Sequence, residues 1–470
     1  MIILNPEFHR YLWLNFSPFR LIIMPVLLGL ILFIFSSDES SIFYGNEDFL
    51  FFPAVLMYCI VVFLWGNYEA AAASSRDVGQ NTWDFQKMSA IGPWQLTLGK
   101  LFGSTSYVWY AGLILLGVMV FSFDVLKAGF VDNRFAEIYP TPLKPVIYLV
   151  FAGIMGHATA LLLGVQSLKR NKSGTAVPFI CGFIMSCTVL NLTFFADLDP
   201  LFRTQNSTTQ WHSYTIDYHV FVISSLIFFF SWIMIAIQRM MRQELQYKNS
   251  PIVLMIFLVM MSLYSSGLLE NIPEGGEWRD QKVLMMKLFV SFTIIMPCIY
   301  VMLLMEASDP VKYKRWFYAL KGGEWKRVFE NTPGWGGCLL LLLPVYGLLG
   351  VMIGDLPVSE RAFLEDDYPV FILMTSFMLF AMRDGFMFHA ILGGRIEKHK
   401  SFILMLYFFG AYYLLPFTLS SVFGPSVFYP WGKGGFSETC LPVLVQCGIA
   451  FAIMIYFLRR KSQDDVAVIK

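Results

Sequence analysis

Twelve apolar segments, each about 20 residues long, follow one another along almost the whole chain. A helix of about 20 apolar residues crosses the ~30 Å hydrocarbon core of a bilayer and satisfies its own backbone hydrogen bonds. The segments are residues 19–36, 49–66, 103–123, 145–167, 175–196, 218–237, 251–269, 284–305, 336–353, 369–392, 402–423 and 439–458. The sequence therefore predicts an all-α polytopic membrane protein with twelve transmembrane helices.

Composition excludes a soluble globular chain. Only 14% of the 470 residues are charged and 57% are hydrophobic, whereas soluble domains carry about 25% charged residues. No segment has the alternating polarity of a membrane β-barrel strand. The seven cysteines lie in or beside apolar segments without CxxC or His pairing, so we expect packing residues and no metal site.

The charges are sorted between alternate loops. With the N-terminus on the cytoplasmic side, about two thirds of the 34 Lys and Arg fall in cytoplasmic segments, and most acids fall in the outer loops. This bias in Lys and Arg sets orientation under the positive-inside rule. We therefore expect both termini inside. The first apolar run starts late, at Leu21, and is too long for a signal peptide, so the first span is expected to direct insertion.

Loop lengths predict two halves of six spans, residues 1–248 and 249–470. The first half ends at the basic stretch QRMMRQELQYK, and the second set of spans begins at Pro251. In each half the longest cytoplasmic loop follows the second span, at residues 67–102 and 306–335. Residue identity between the halves is weak, so the duplication is predicted from topology alone.

The first of these loops contains GQNTWDFQKMSAIGPWQLTLGKLFG, residues 79–103. We predict a short helix, TWDFQKMSAI, capped by Asn81, then a break at Gly92 and a second helix that begins at Pro93 and runs into span three. The segment is too apolar for a free loop and too short to span. Either lipid headgroups or another protein should cover it.

The same stretch does not form a nucleotide-binding loop. Six residues separate Gly92 from Gly99, where a GxxxxGK[ST] motif has four, and Leu101 replaces the Ser or Thr that would hold magnesium. ATP binding by this chain is therefore not expected.

The N-terminal stretch NPEFHRYLWLNFSPFR predicts a helix before span one. Asn5 is its expected N-cap and Pro6 its first residue. Phe8, Leu12 and Phe16 have the spacing of one helical face, as in a helix lying in the headgroup plane. A leader with aromatic residues at the interface is the alternative.

These residues resemble a known family. TWDFQKMSAIGPWQLTLGKLFGSTSYVWY, Glu69 before it, NPEFHRYLWLNFSPFRL and FAMRDGFMF are similar to ABC-2 type transporter permeases of the large, twelve-span kind. The resemblance implies an interfacial helix before span one and short helices after span two that dock on a cytoplasmic ATPase. By resemblance, the ATPase-coupling residues are Glu69, Thr82, Trp83, Asp84, Phe85, Gln86, Met88, Pro93 and Trp94.

The resemblance also implies partners and location. The chain would be the permease of an exporter in a bacterial cytoplasmic membrane, with two copies of an ABC ATPase subunit that bind ATP and magnesium. The chain itself would hold no cofactor or catalytic residue and bind no nucleic acid. Besides membrane lipids, a second permease copy or another membrane subunit is an open alternative. Loop 306–335 is more basic and lacks the TWDxQ motif, so whether it also docks on an ATPase is left open.

Four polar residues inside predicted spans are candidates for a transport path: His157, Arg383, Asp384 and His389. Charges in a span either line a cavity or pair. One interpretation is a polar transport path or gate; in the other, Arg383 snorkels to the headgroups and Asp384 pairs within the bundle. Since adjacent residues on a helix do not face each other, we expect separate partners for these two. Each His is either a hydrogen-bonded packing residue or part of the path.

Two other classes fit twelve spans. A gradient-driven secondary transporter also has two halves, although the spans offer few acids for ion coupling. A polytopic lipid-modifying enzyme would need a nucleophile or acid–base cluster, and the sequence shows no convincing Ser–His or His–Asp grouping. The cargo is not indicated.

Overall fold

A computed structural model describes residues 5–37, 50–129, 141–168, 174–195, 208–247, 249–269, 279–306, 310–355, 370–393, 400–424, 427–429 and 436–469. Residues 49, 196 and 369 at the ends of predicted spans, and residues 307–309 of the second loop, lie outside these ranges. The chain folds into two compact units, Met1–Thr209 with Ile216–Asn249, and Gln210–Thr215 with Ser250–Lys470.

The described part of the first unit contains ten α-helices. They are α1 (Pro6–Asn15), α2 (Pro18–Ser37), α3 (Phe51–Tyr58), α4 (Asn67–Gly79), α5 (Trp83–Met88), α6 (Pro93–Ser104), α7 (Ser106–Gly129), α8 (Leu143–Leu168), α9 (Ala176–Leu190) and α10 (Tyr218–Glu244). A π-helical segment, Cys59–Gly66, joins α3 to α4, and another, Asn191–Phe195, extends α9. Just before α10, a two-stranded sheet pairs β1 (Thr208–Trp211) with β2 (Tyr214–Asp217).

Among the described residues of the second unit there are nine α-helices. They are α11 (Ile252–Ser266), α12 (Arg279–Glu306), α13 (Pro310–Lys321), α14 (Trp325–Asn331), α15 (Gly334–Asp355), α16 (Val370–Gly393), α17 (Lys400–Phe409), α18 (Leu415–Phe423) and α19 (Phe436–Ile469). The π-helical segment Gly410–Leu414 joins α17 to α18, and the 3₁₀ turn Gly267–Leu269 follows α11.

Within the described ranges, 12 helical stretches are long and apolar enough to cross a membrane. They are Pro18–Phe35, Phe51–Gly79, Ser106–Phe123, Leu143–Leu168, Ala176–Thr193, Tyr218–Glu244, Ile252–Leu269, Gln281–Leu303, Gly334–Ile353, Phe371–Ile391, Phe402–Val422 and Phe436–Phe457. Each overlaps one predicted segment. The chain is an all-α polytopic membrane protein, as predicted from its apolar periodicity.

The second stretch is longer than a bilayer requires. Its 29 residues correspond to about 44 Å of helix at 1.5 Å per residue, against a hydrocarbon core of about 30 Å. The apolar residues fill its first half, and NYEAAAASSRDVG forms its end. The last turns of α4 therefore extend past the hydrocarbon toward α5.

Two predicted helix starts are confirmed. Asn5 caps α1 by accepting hydrogen bonds from the backbone N–H groups of Glu7 and Phe8, and Pro6 is the first helical residue. The α6 helix begins at Pro93, and the side chain of Gln95 accepts from the N–H of Gly92 at 3.1 Å. The predicted break at Gly92 is therefore present, and the loop forms two helices.

The predicted cap of α5 is wrong. Asn81 has a left-handed backbone, φ 57°, and it ends α4 instead of starting α5. The N–H of Asn81 donates to Val78 and that of Thr82 donates to Asp77, which are the two hydrogen bonds of a Schellman motif. Asparagine tolerates this conformation better than most residues, so the same polar residue type serves the C-terminus of one helix. The short helix also ends earlier than predicted, at Met88.

Candidate functional site

The predicted coupling residues on α5 divide between two faces. Trp83 and Gln86 face inward and are buried. Phe85 is 70% exposed and Met88 is 75% exposed, and the Asp84 side chain is 83% exposed. Two apolar side chains and one carboxylate therefore form the outer face of α5. Trp83 is instead part of the core, in a cluster that includes Ala71, Leu161 and Ile237.

The other predicted coupling residues surround α5. Thr82 donates to the carbonyl oxygen of Asp77 at 3.2 Å, and Pro93 begins α6 with the half-exposed Trp94 beside it. Glu69 accepts from the Trp65 indole at 3.1 Å and pairs with Arg76. The structure thus places Glu69 on α4, more than one helical turn before the end of that helix.

A buried ion network lies behind α5. The Lys100 side chain on α6 is 0% exposed; its ammonium pairs with Asp77 on α4 and lies 3.5 Å from Glu7 on α1. Its Nζ is also 4.9 Å from the centroid of the Trp83 ring. Two acids and one lysine from three helices therefore meet at the inner face of the short helix.

Arg10 completes the network and balances its charge. Its guanidinium donates two hydrogen bonds to Glu7, at 2.8 and 3.0 Å, and one to Asp77 at 3.0 Å. Burial opposes the charged form of Arg10, but the hydrogen bond and charge of Glu7, together with the charges of Tyr11 and Asp77, outweigh burial and raise the pKa of Arg10. Two cations and two carboxylates neutralise each other, which is the condition under which buried charges are tolerated.

The α1 helix reaches this network because two glycines let it lie directly on α6. A Cβ atom added at Gly99 would be 2.7 Å from the Cβ of Glu7, and one added at Gly103 would be 2.9 Å from the Cβ of Tyr11. The glycines stand four residues apart in GKLFG, the small-residue spacing of closely packed helices in membranes. The stretch that fails as a phosphate loop is thus a helix-packing surface.

We expect Gly99→Ala to lower stability by about 1–3 kcal/mol, since the extra carbon forces α1 away from α6 and from Lys100. The measurement is the temperature at which half of the purified protein leaves the monodisperse gel-filtration peak. Gly117→Ala is the control, because nothing lies within 4 Å of a Cβ there. Equal midpoints for the two variants would contradict this account of the close approach.

Asn5 adds a hydrogen bond between the same two helices. Its amide donates to the carbonyl oxygen of Gln95 at 2.6 Å while its oxygen caps α1. The α1 helix therefore does not rest on Phe8, Leu12 and Phe16 alone. Its buried side chains are Glu7 and Tyr11.

A second buried polar cluster lies in the second unit and centres on Asp384. Its carboxylate is 0% exposed and accepts hydrogen bonds from the hydroxyls of Tyr300, Tyr407 and Tyr412. Arg383 donates to it twice, at 2.9 and 2.8 Å. Three tyrosines from α12, α17 and the following π-helical segment therefore surround an ion pair on α16.

The expectation of separate partners for Arg383 and Asp384 is wrong. The guanidinium bends back along α16 to its neighbour and lies 4.6 Å from the Phe380 ring centroid. Its third contact is with the Gln446 side-chain oxygen on α19, at 2.8 Å. Arg383 is also buried, so it does not snorkel. The flexible arginine side chain allows a contact that the backbone directions of adjacent residues do not suggest.

The two intramembrane histidines have packing contacts. His157 is buried, and its Nε2 donates to the carbonyl oxygen of Val62 at 2.8 Å. Val62 lies in a π-helical segment, where the ordinary ladder of hydrogen bonds is altered. The Nδ1 of His389 donates to the carbonyl oxygen of Gly385 at 2.8 Å, and its ring contacts Trp335 edge-on. Both rings thus bond to backbone carbonyl groups, whereas the donors around Asp384 are tyrosine hydroxyls and a guanidinium.

Sequence reasoning missed the partners in both clusters. In the first they are Glu7, Arg10, Asp77 and Lys100; in the second they are Tyr300, Tyr407, Tyr412 and Gln446. The GKLFG spacing was a usable signal for Lys100, since a lysine between two packing glycines must face or flank a neighbouring helix. Among the described residues, no group of three His, Cys, Asp or Glu side chains is arranged to hold a metal ion.

The fold defines an integral, all-α membrane protein. No family model matches the chain, and neither the search of curated proteins nor that of solved structures finds a match.

Proposed function

We propose that this chain is the membrane-spanning permease subunit of an ATP-driven exporter of the ABC-2 type, energised by a separate cytoplasmic ATPase subunit. The observation that supports this most is the two-sided α5 helix. Its outer face presents Phe85, Met88 and Asp84, while its inner face rests on the buried ion network. A helix of six residues has little stability alone, so the network behind it is what keeps these side chains in place.

The outer face suits a protein partner better than water. Phe85 and Met88 are one turn apart on the same side of α5, with Trp94 at the start of the next helix. Burying a Phe or Met side chain contributes about 1.5–3 kcal/mol. Phe85 and Met88, with Asp84 beside them, could therefore form the buried centre of a small protein–protein interface.

The connections of α5 support a mechanical role for it. It follows α4, the end of the second span, and leads through α6 into the third span. Because Asp77, Lys100 and Glu7 tie α4, α6 and α1 together, a force on α5 would move these helices as one body. Closing and opening of ATPase subunits would thus reach spans two and three. ATP and magnesium would be held by the partner.

The expected result of Phe85→Glu with Met88→Glu is a protein that inserts normally but retains at least tenfold less ATPase subunit on affinity purification from native membranes. In the proposed complex, the variant would lose two apolar contacts with the ATPase, and two carboxylates would have to be desolvated on binding. The measurements are partner stoichiometry by mass spectrometry and vanadate-sensitive ATPase activity. If the double variant retained the ATPase subunit in full, the proposed docking role of α5 would be contradicted.

Tyr214→Glu is the matched control. Tyr214 is also 70% exposed, but it lies in β2, on the predicted outer side, so the same apolar-to-acid change should leave the partner bound. Trp83→Ala is unsuitable for this test, since Trp83 is buried against Lys100 and its loss would disturb the fold itself.

A gradient-driven carrier is the alternative outcome. An ATPase-free preparation from well-solubilised native membranes would favour it, and Asp384→Asn would then be expected to abolish transport. Asp384 is the described acid most enclosed by a span, with three tyrosine hydroxyls and Arg383 as donors.

A further inference from the structure

We propose that the helix pair α13–α14 binds the headgroups of anionic phospholipids in the membrane that the chain spans. The pair combines exposed aromatic side chains with a cluster of Lys and Arg, and short connectors tie it to two spans. The pair shares no residue with α5, and its assignment does not depend on the proposed ATPase partner.

Chain length keeps the pair at the membrane face. Only the three residues 307–309 separate α12 from α13, and only Thr332 and Pro333 separate α14 from α15. A residue extends at most about 3.6 Å, so the start of α13 lies within roughly 15 Å of the end of α12, and the end of α14 lies within the same distance of the start of α15. The candidate spans at the two ends are Gln281–Leu303 and Gly334–Ile353. Both ends of the pair are therefore held close to the membrane face.

The turn between the helices has a fixed geometry. Gly323 has φ +68°, a conformation that glycine adopts without strain. Its N–H donates to Leu320, and the N–H of Glu324 donates to Ala319 at 3.0 Å, which completes a Schellman motif. The pair thus holds its side chains in a defined arrangement, with Ala319 and Val328 facing inward.

The outward side chains are the types found at a membrane interface. Tyr318 is 76% exposed and Trp325 is 68% exposed, and Leu320 and Phe329 are about half exposed. Tyrosine and tryptophan are enriched where an apolar core meets the headgroups. The large apolar side chains of an interfacial helix are buried about 5–10 Å into the boundary between headgroups and acyl chains.

The charge of this surface selects the kind of lipid. The sequence of residues 310–331 contains six Lys and Arg and two acids, Glu324 and Glu330. Of the basic residues, Arg315, Lys321, Lys326 and Arg327 are exposed, and Arg327 pairs with Glu324 at 2.6 Å. Clusters of this size beside a transmembrane helix attract anionic lipid. The stretch around α5, residues 80–92, has one acid and one lysine. The two loops therefore differ in charge, and the basic one complements phosphate-bearing headgroups.

The test measures hydrogen exchange in the full-length protein without any partner subunit. Peptides covering residues 310–331 are compared in bilayer nanodiscs of phosphatidylcholine and in nanodiscs that also contain phosphatidylglycerol. We expect exchange there to slow about fivefold or more with the anionic lipid. Each Lys or Arg near an anionic membrane surface strengthens binding by about fivefold. High salt should weaken the difference.

Charge variants at exposed positions separate lipid binding from general packing. The triple change Lys321→Glu, Lys326→Glu and Arg327→Glu should remove the dependence on phosphatidylglycerol. The charge-preserving set Lys321→Arg, Lys326→Arg and Arg327→Lys should keep it. Equal exchange in both bilayers, or a dependence that survives charge reversal, would overturn the proposal. So would protection that occurs only when a cytoplasmic subunit is added, because the surface would then be a protein-docking site.

Discussion

Replacing Lys100 with Met is expected to destabilise the first unit by about 3–5 kcal/mol, the usual cost of removing one partner from a buried ion pair. Lys100 is fully buried and faces Asp77 and Glu7. Without its ammonium, two carboxylates share the single guanidinium of Arg10. Because Arg10 still donates to both acids, the lower half of that range is expected.

The diagnostic measurement is a double-mutant cycle on the purified protein, read as the thermal midpoint of the monodisperse gel-filtration peak. Asp77→Asn in the Lys100→Met background restores neutrality and should recover more than half of the lost midpoint. Coupled residues show interaction energies of about 0.5–3 kcal/mol in such cycles. Additive losses would mean that Lys100 acts only by filling space.

Replacing Arg383 with Met is expected to have a similar effect in the second unit. The change should ease insertion, since an arginine at a helix centre costs about 2.5–3.5 kcal/mol on insertion scales. It also leaves the buried carboxylate of Asp384 without its counter-charge, at about 3–5 kcal/mol. The three tyrosine hydroxyls remain as donors. A loss of stability in a variant that inserts at least as well as the unmodified protein would therefore be due to the broken pair.

Two further variants identify the cause. Arg383→Lys keeps the charge but cannot donate in parallel to Asp384 while reaching Gln446, so an intermediate midpoint is expected. Arg383→Met with Asp384→Asn removes both charges and should be more stable than Arg383→Met alone. A midpoint for Arg383→Met equal to that of the unmodified protein would show that the network carries no stability.

The membrane spans were predictable because lipid imposes one dominant requirement. About 20 apolar residues must cover the hydrocarbon and satisfy their own backbone, so length and composition are sufficient. Proline at the first position of α1 and α6 was equally local, since proline both suits that position and blocks the preceding helix. Both starts are confirmed.

The role of Asn81 could not be predicted from local sequence. Asparagine is favoured both at helix N-caps and at left-handed positions after a helix C-terminus. Asn81 lies between the end of α4 and the start of α5, so both roles were possible. The backbone hydrogen bonds from Asn81 and Thr82 decide for the end of α4. Residue type alone could not separate these two roles.

The partners of the buried charges depended on contacts distant in sequence. Glu7 and Lys100 are more than 90 positions apart, and Asp384 collects hydroxyls from three other segments. The sequence raised the question for Arg383 and Asp384 because a charge in a span must be compensated. The sequence could not identify the compensating partners, since these come from the helices that pack against α16.

The membrane-protein class, the number of spans and the break between α5 and α6 could be predicted from the sequence, because each follows from requirements met within about 20 residues. The outward face of α5, the neutralisation of Lys100 and the pairing of Arg383 with Asp384 emerge only from the packing of the helices. These depend on the close approach of α1 to α6 at Gly99 and Gly103 and on the packing of α12, α16, α17 and α19. Neutralising a buried charge needs partners that only packing brings within hydrogen-bonding distance.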